Sequence, residues 1–332
     1  MSSISTVKKL SSGNPFLDYL LNGGYPISTI ILIIEDSPTK LYHSLLKYAI
    51  AQGIVDNEKI FFYYSNQNIY DSVIGNLPYQ STQVEAILNS KTKETSSTSN
   101  NNEMKIAWRY ENINYTNLIA SVSKDLKYIF DLSRQLQDNF TSKNAIMSSM
   151  QPNLKNIISK FVNEYQNYAS SFTDEDKDKY SRLILPNLFE YLNEDVININ
   201  QINAELINLK SIARCLNGVT ILTVNREFVD KRIINLVENI SDYVFSVKGL
   251  TMVTDKEKVG DYEGIFYIEK RPSLCSLKPL EIETDMYGIL RDKRKIIIEK
   301  IDIGVEVDRN TKVKESDIEN NKQIKQNEKY DF

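Results

Sequence analysis

An unbroken apolar run, Ile30-Ile31-Leu32-Ile33-Ile34, leads through a short loop into a helical segment, and nothing else in the chain restricts the fold as strongly. A strand in which every side chain is apolar has to be covered on both faces, as in a parallel sheet with helices on either side. The loop reads Glu35-Asp36-Ser37-Pro38-Thr39-Lys40-Leu41-Tyr42-His43. Strand–loop–helix units that hold phosphate place glycines here so that successive backbone N–H groups turn inward, followed by Lys and Ser or Thr. This loop has no glycine, opens with two carboxylates that repel a polyphosphate, and contains a proline with no N–H to donate. It has the layout of a phosphate-binding unit without the chemistry.

Downstream, helical and extended patterns alternate as a wound sheet requires. Leu41, Leu45, Tyr48 and Gln52, with Leu46 and Ile50 beside them, predict an amphipathic helix that Gly53 can end. Lys59–Tyr64 reads as the next strand. From Asn89 to Asn102 the chain collapses into Ser, Thr, Lys and Asn, too polar to order itself, and reads as a disordered insertion. Leu118, Val122, Leu126, Ile129 and Leu136 describe one helical stripe, and Leu154, Ile158, Phe161, Tyr165 and Tyr168 a second, with a polar join from Thr141 to Pro152. A short strand at Leu183–Leu185 follows. Then come a helix carrying Ile202, Leu206, Leu209, Ala213 and Leu216, a strand at Val219–Val224, and a helix carrying Val229, Ile233, Leu236 and Ile240. Strands at Tyr243–Val247, Ile265–Ile268 and Lys295–Ile303 predict an antiparallel extension. The expected class is α/β: a mostly parallel sheet flanked by helices in one domain over 1–307, with a low-complexity insertion at about 80–102, a variable helical region at about 133–180, and a disordered charged tail over 308–332.

Composition narrows the chemistry. The two cysteines, Cys215 and Cys275, lie far apart without a CxxC partner and read as buried reduced thiols. His43 is the only histidine, so a multi-histidine metal site is excluded, a Ser-His-Asp or Cys-His engine is disfavoured, and the ring is expected to pack or lie at the surface. No run of eighteen or more apolar residues and no signal-peptide h-region is present, which points to a soluble intracellular protein. The net charge of −4 means that any contact with nucleic acid must be local.

Two further segments carry a resemblance. Ser11-Ser12-Gly13-Asn14-Pro15-Phe16-Leu17-Asp18-Tyr19-Leu20-Leu21-Asn22-Gly23-Gly24-Tyr25-Pro26-Ile27 resembles the segment that leads into the first core strand of RecA-like ATPases. In those proteins an acidic residue ends the strand that holds magnesium, whereas the matching stretch here is Leu185-Pro186-Asn187-Leu188, with neither Pro186 nor Asn187 able to act as the carboxylate. Met104-Lys105-Ile106-Ala107-Trp108-Arg109-Tyr110-Glu111 holds the only tryptophan and, from its residues alone, reads as an amphipathic anchor. The same string resembles the signature of the Elongator subunit 4 family. So do Ile34-Glu35-Asp36, Leu45-Leu46-Lys47-Tyr48, Gln52-Gly53-Ile54-Val55, Ile240-Ser241-Asp242-Tyr243-Val244, Tyr262–Ile268 with Pro272-Ser273-Leu274, and Lys293–Lys300. Gln80 to Asn102, Ser133 to Lys179 and the tail match poorly.

The resemblance implies a RecA-like, Walker-deficient subunit that does no catalysis. It implies a six-membered ring with two homologous RecA-like subunits, association with the catalytic Elongator subcomplex, and tRNA binding in support of wobble-uridine modification. It also implies a cytoplasmic and nuclear location, no membrane, no metal and no cofactor, ATP being confined to ring interfaces rather than a Walker site in this chain. In such rings the loop after the fifth core strand faces the central hole. Here that loop is Asn225-Arg226-Glu227-Phe228-Val229-Asp230-Lys231-Arg232, making Arg226, Lys231 and Arg232 the candidate tRNA contacts. Arg291, Lys293, Arg294 and Lys295 form the densest basic cluster and read as an exposed edge or a partner contact. Two alternatives stand beside this reading: an ATPase with a rebuilt site using Lys40 as the phosphate lysine, and a scaffold of the ring that binds only protein.

Overall fold

In the computed structural model the described elements are β1 (Lys9–Leu10), α1 (Pro15–Leu20), β2 (Tyr25–Pro26), β3 (Thr29–Glu35), α2 (Leu41–Val55), β4 (Lys59–Tyr64), α3 (Gln67–Val73), β5 (Pro78–Ser81), β6 (Ile129–Gln135), β7 (Ala145–Ser149), α4 (Leu154–Ala169), β8 (Ser181–Leu185), α5 (Ile199–Cys215), β9 (Gly218–Asn225), α6 (Lys231–Ile240), β10 (Tyr243–Gly249), β11 (Gly264–Lys270), β12 (Met286–Arg291) and β13 (Ile296–Lys300). The structure describes residues 8–35, 40–64, 66–81, 129–135, 145–149, 154–170, 179–189, 198–250, 262–272, 284–292 and 294–301. The chain divides into a unit Met1–Lys300 and a unit Ile301–Phe332, of which only Ile301 is described. The expected low-complexity stretch, the Met104 to Glu111 string, Cys275 and the tail beyond 301 lie outside the described residues.

β3 is buried along its whole length. Alternation divides it between two cores: Ile31 and Ile33 join one cluster with Leu46, Ile50 and Phe245, while Ile30, Leu32 and Ile34 join another with Leu206, Leu209 and Val237. Helix α2 covers the first face, and α4, α5 and α6 the second. The nine strands of the main sheet run β13-β12-β11-β10-β3-β9-β8-β4-β7. From β10 to β7 every neighbouring pair is parallel, and β11, β12 and β13 add on antiparallel beside β10. Counted along the chain, the parallel strands stand in the order third, second, fourth, fifth, first, sixth, which is the RecA-like arrangement. β9 is the fifth of them, and it ends at Asn225, so the loop after it begins at Arg226.

Several sequence expectations need correction. Residues 129–135 are not helical. They form β6, paired antiparallel with β5, and the buried Phe130 and half-buried Leu132 are two apart, as on one face of a strand. The polar join contains β7, which takes its hydrogen bonds from β4 at the sheet edge. Cys215 is exposed. The buried face of α5 runs through Ile202, Leu206, Leu209 and Ala213, and two residues past Ala213 the helix has turned to its outer side. Helix α2 continues through Gly53 to Val55 and has no exposed residue, so it is enclosed rather than amphipathic.

Gly53 is needed for another reason. A side-chain carbon there would lie 3.0 Å from Arg182 Nε and 3.3 Å from Glu58 Oε2. Arg182, on β8, is wholly buried and meets the carboxylate of Glu58 with both Nε and Nη2, while Nη1 donates to the Ala49 carbonyl at 2.9 Å. This bidentate pair joins the start of β4, the start of β8 and the middle of α2 at the amino-terminal edge of the sheet. Removing one partner of such a pair leaves an uncompensated charge in the core. Arg182→Ala should therefore lower the unfolding free energy by about 3–5 kcal/mol, read as a shift of the urea midpoint. A loss well under 1 kcal/mol would show that Glu58 has access to water.

Candidate functional site

The carboxyl ends of β3, β8 and β9 meet where a wound sheet places its ligand crevice. Glu35, the last residue of β3, is buried and stands in register with Asn225 at the end of β9. Two residues short of that end, the buried Thr223 hydroxyl accepts from the Asn187 backbone N–H at 2.8 Å. The same hydroxyl has long contacts to Glu35 Oε1 at 3.5 Å and Asn187 Oδ1 at 3.4 Å. The Tyr42 hydroxyl, on the first turn of α2, reaches Asn187 Oδ1 at 3.4 Å and lies 2.7 Å from His43 Nε2. A chain of protein side chains thus runs across the crevice from Glu35 to His43.

Each member is placed by local structure. Asn187 has φ 50°, and asparagine tolerates the left-handed region in which the turn after β8 needs a residue. The position that would carry a magnesium-binding acid is therefore a neutral turn residue held by β9. Lys40 precedes α2 with φ 50° and supplies no side-chain cap to it. Asp36, Ser37, Pro38 and Thr39 lie outside the described residues. Among the described residues no group of three or more His, Cys, Asp or Glu is placed to hold a metal ion.

His43 is buried edge-on against the Tyr42 ring, with centroids 4.3 Å apart, the packing role expected of it. Burial, with the charges of Lys40 and Lys47 adding to it, pushes its imidazolium pKa from 6.5 down to about 4.

The three candidate RNA contacts sit together just past β9, but in different states. Arg226 is exposed and lies between two carboxylates, Glu238 Oε1 at 3.2 Å and Glu269 Oε2 at 3.0 Å. Arg232 pairs with Asp230, the N-cap of α6, at 2.8 Å. Lys231 is exposed on the first turn of α6. Between them stands Phe228, 73% exposed, a residue that charge pattern does not pick out. The run Arg226-Glu227-Phe228-Val229-Asp230 marks it, since Phe228 sits one residue out of register with the stripe Val229, Ile233, Leu236 and Ile240.

The PAXNEB protein family matches this chain over residues 2–332. Elongator complex protein 4 of Xenopus laevis is 26% identical over 298 residues, covering 81% of this chain and 73% of that protein. The protein of the same name from Dictyostelium discoideum is 27% identical over 342 residues, covering 90% and 75%. That of Mus musculus is 25% identical over 334 residues, covering 88% and 76%. A crystal structure of a KaiC-like protein from Pyrococcus horikoshii overlays with a TM-score of 0.49 at 13% identity, over 88% of this chain and 99% of that one.

A histidine kept neutral in the native state but free to protonate on unfolding makes stability depend on acid. Below pH 6.5 the unfolded chain takes up the proton first, so this contribution is complete above pH 6.5 and is lost as pH falls toward 4. His43→Gln should flatten the fall in urea midpoint across that window, and a pH profile parallel to that of the unsubstituted chain would show that His43 protonates while folded.

Proposed function

The chain belongs to the PAXNEB protein family, and from that premise we propose that it serves the Elongator complex as a non-catalytic subunit. In this reading it joins two homologous RecA-like subunits in a hexameric ring, the ring binds tRNA, and the catalytic Elongator subcomplex modifies the wobble uridine. The relatives named Elongator complex protein 4 support the assignment to that complex. The observation that carries the non-catalytic role is the retention of a RecA-like sheet around a crevice occupied by the chain's own Glu35, Thr223, Asn187 and Tyr42. A sheet of this kind still presents strand ends and helix faces for assembly after its phosphate chemistry has gone.

ATP, where the ring uses it, is bound at ring interfaces and not through a Walker site here. The cytoplasm, with the nucleus as a second compartment, is the expected location of a tRNA-modifying assembly. Arg226, Lys231 and Arg232 are the proposed RNA contacts of the loop after β9, with Lys231 the most available. A second reading, a scaffold that binds only protein, is favoured by the carboxylates already engaged by Arg226 and Arg232. RNA crosslinked only to partner subunits of the ring would mark that reading.

Purification of the full chain from its source should return two homologous RecA-like subunits with the mass of a hexamer, and recovery of a lone monomer would overturn the ring. Calorimetric titration of the isolated chain with ATP and magnesium should give no binding heat, and a glycine-rich loop grafted in place of residues 35–40 should give no hydrolysis. Stoichiometric binding would favour Lys40 as the phosphate lysine of a rebuilt site.

A further inference from the structure

Among the described residues the arginines at 134, 182, 214, 226, 232 and 271 each meet a carboxylate. Arg291 and Arg294 meet none; Arg291 ends β12 and Arg294 follows in the turn to β13, where the Asp292 N–H donates to the Lys295 carbonyl at 2.9 Å. Arg291, Arg294 and Lys295 are all exposed.

The pairing register puts this turn at a definite place. β10 runs parallel to β3, Gly249 of β10 pairs with Gly264 of β11, and Gly264 pairs with Ile289 of β12, so Arg291 lies at the same sheet edge as Glu35. The turn is also fixed to its surroundings. The Leu132 N–H of β6 donates to the Arg294 carbonyl at 2.7 Å, and the Ile296 N–H donates to the Tyr48 hydroxyl of α2 at 3.1 Å.

Helix α2 brings more positive charge to the same corner. Lys40, His43 and Lys47 are spaced so as to share a helix face, and the neutral His43 ring feels both lysines. Lys47 is half-buried, and its ammonium pKa is lowered by burial and then by the charge of Arg291. Lys40 and Lys47 are about 10 Å apart along the helix axis. The result is a row of five cations with Asp292 as the acid within the turn, on a protein whose net charge is −4.

We propose that this corner, Arg291, Arg294 and Lys295 with Lys47 and Lys40 along α2, is the surface on which the chain receives the phosphate backbone of RNA. A row of point charges fits a repeating backbone, and unpaired guanidinium forks fit phosphate oxygens. A protein partner would be expected to use a buried apolar anchor. The exposed large apolar residues among those described are Tyr19, Ile207 and Phe228, on α1, on α5 and in the loop after β9, and none is on α2, β12 or β13. The loop after β9 differs, because two of its three cations would have to exchange a carboxylate for phosphate. The proposal rests on the reading of the ring as a tRNA binder and adds to the loop after β9 a second surface, which carries the larger share of the phosphate contact.

The test is tRNA affinity of the full chain isolated with its co-purifying subunits, measured by fluorescence anisotropy from about 50 to 200 mM salt. Arg291→Gln, Arg294→Gln and Lys295→Gln together should weaken binding about tenfold or more and make the log–log salt slope shallower by about 2–3. The Arg291→Lys, Arg294→Lys pair, which keeps the charge, should retain most of the slope. Arg226→Gln, Lys231→Gln and Arg232→Gln together should change it less. An unsubstituted complex that binds no tRNA would overturn the ring reading together with this one. A complex that binds tRNA and is indifferent to the Gln triple would overturn this proposal alone, as would a triple that binds tRNA normally but fails to join the larger assembly, which would make the corner a site for an acidic protein.

Discussion

The buried pair of Arg182 and Glu58 is the interaction on which the rest of the architecture leans. Its guanidinium is wholly desolvated, so each donor needs a fixed acceptor, and those acceptors lie on β4's approach and on α2. The demand sets the distance between α2 and the sheet and explains a glycine in the interior of a helix, where glycine is otherwise unfavourable. Asp242 performs a related task nearby. It exchanges 2.8 Å hydrogen bonds with the backbone of Ile30 in both directions and pairs with Arg214. Together the two clusters hold β3, β4, β8 and β10 at the amino-terminal edge, so the opposite edge is free to change its chemistry.

At that opposite edge, polar groups that would face a ligand in a nucleotide-binding relative of this fold face one another. Thr223, Asn187 and Tyr42 are neutral, and their contacts of 3.4–3.5 Å are weak individually. They matter through what they exclude, because a buried carboxylate at Glu35 is a poor neighbour for phosphate. Exposed positive charge lies instead at Lys40, before α2, and at Arg291, Arg294 and Lys295 around the turn between β12 and β13.

Much of this was legible in the sequence because its causes are local. Ile30 to Ile34 could be nothing but a doubly covered strand, and the stripes of α4, α5 and α6 stand out because one face of each is polar. The missed elements have non-local causes. β6 exists because β5 offers it a ladder of hydrogen bonds, and its Asp131-Leu132-Ser133-Arg134 run carries no strong extended preference of its own. β7 is set by β4 in the same way. At the candidate site, the loss of glycines at 35–43 was readable directly. The spending of Arg226 and Arg232 on carboxylates was not, since Glu269 is more than forty residues away along the chain. A basic residue in a sequence shows its charge but not its partner.

The enclosure of α2 has a mechanical meaning. In this helix Leu41, Leu46, Ala49, Ile50 and Ile54 press on the first core, and only Lys47 and Val55 are partly open to water. A body packed at crystal-like density around nearly its whole circumference has no low-energy direction in which to slide or roll. The helix that follows the loop is therefore a strut instead of a lever, and whatever touches its first turn is felt by the fold as a fixed load rather than a stroke.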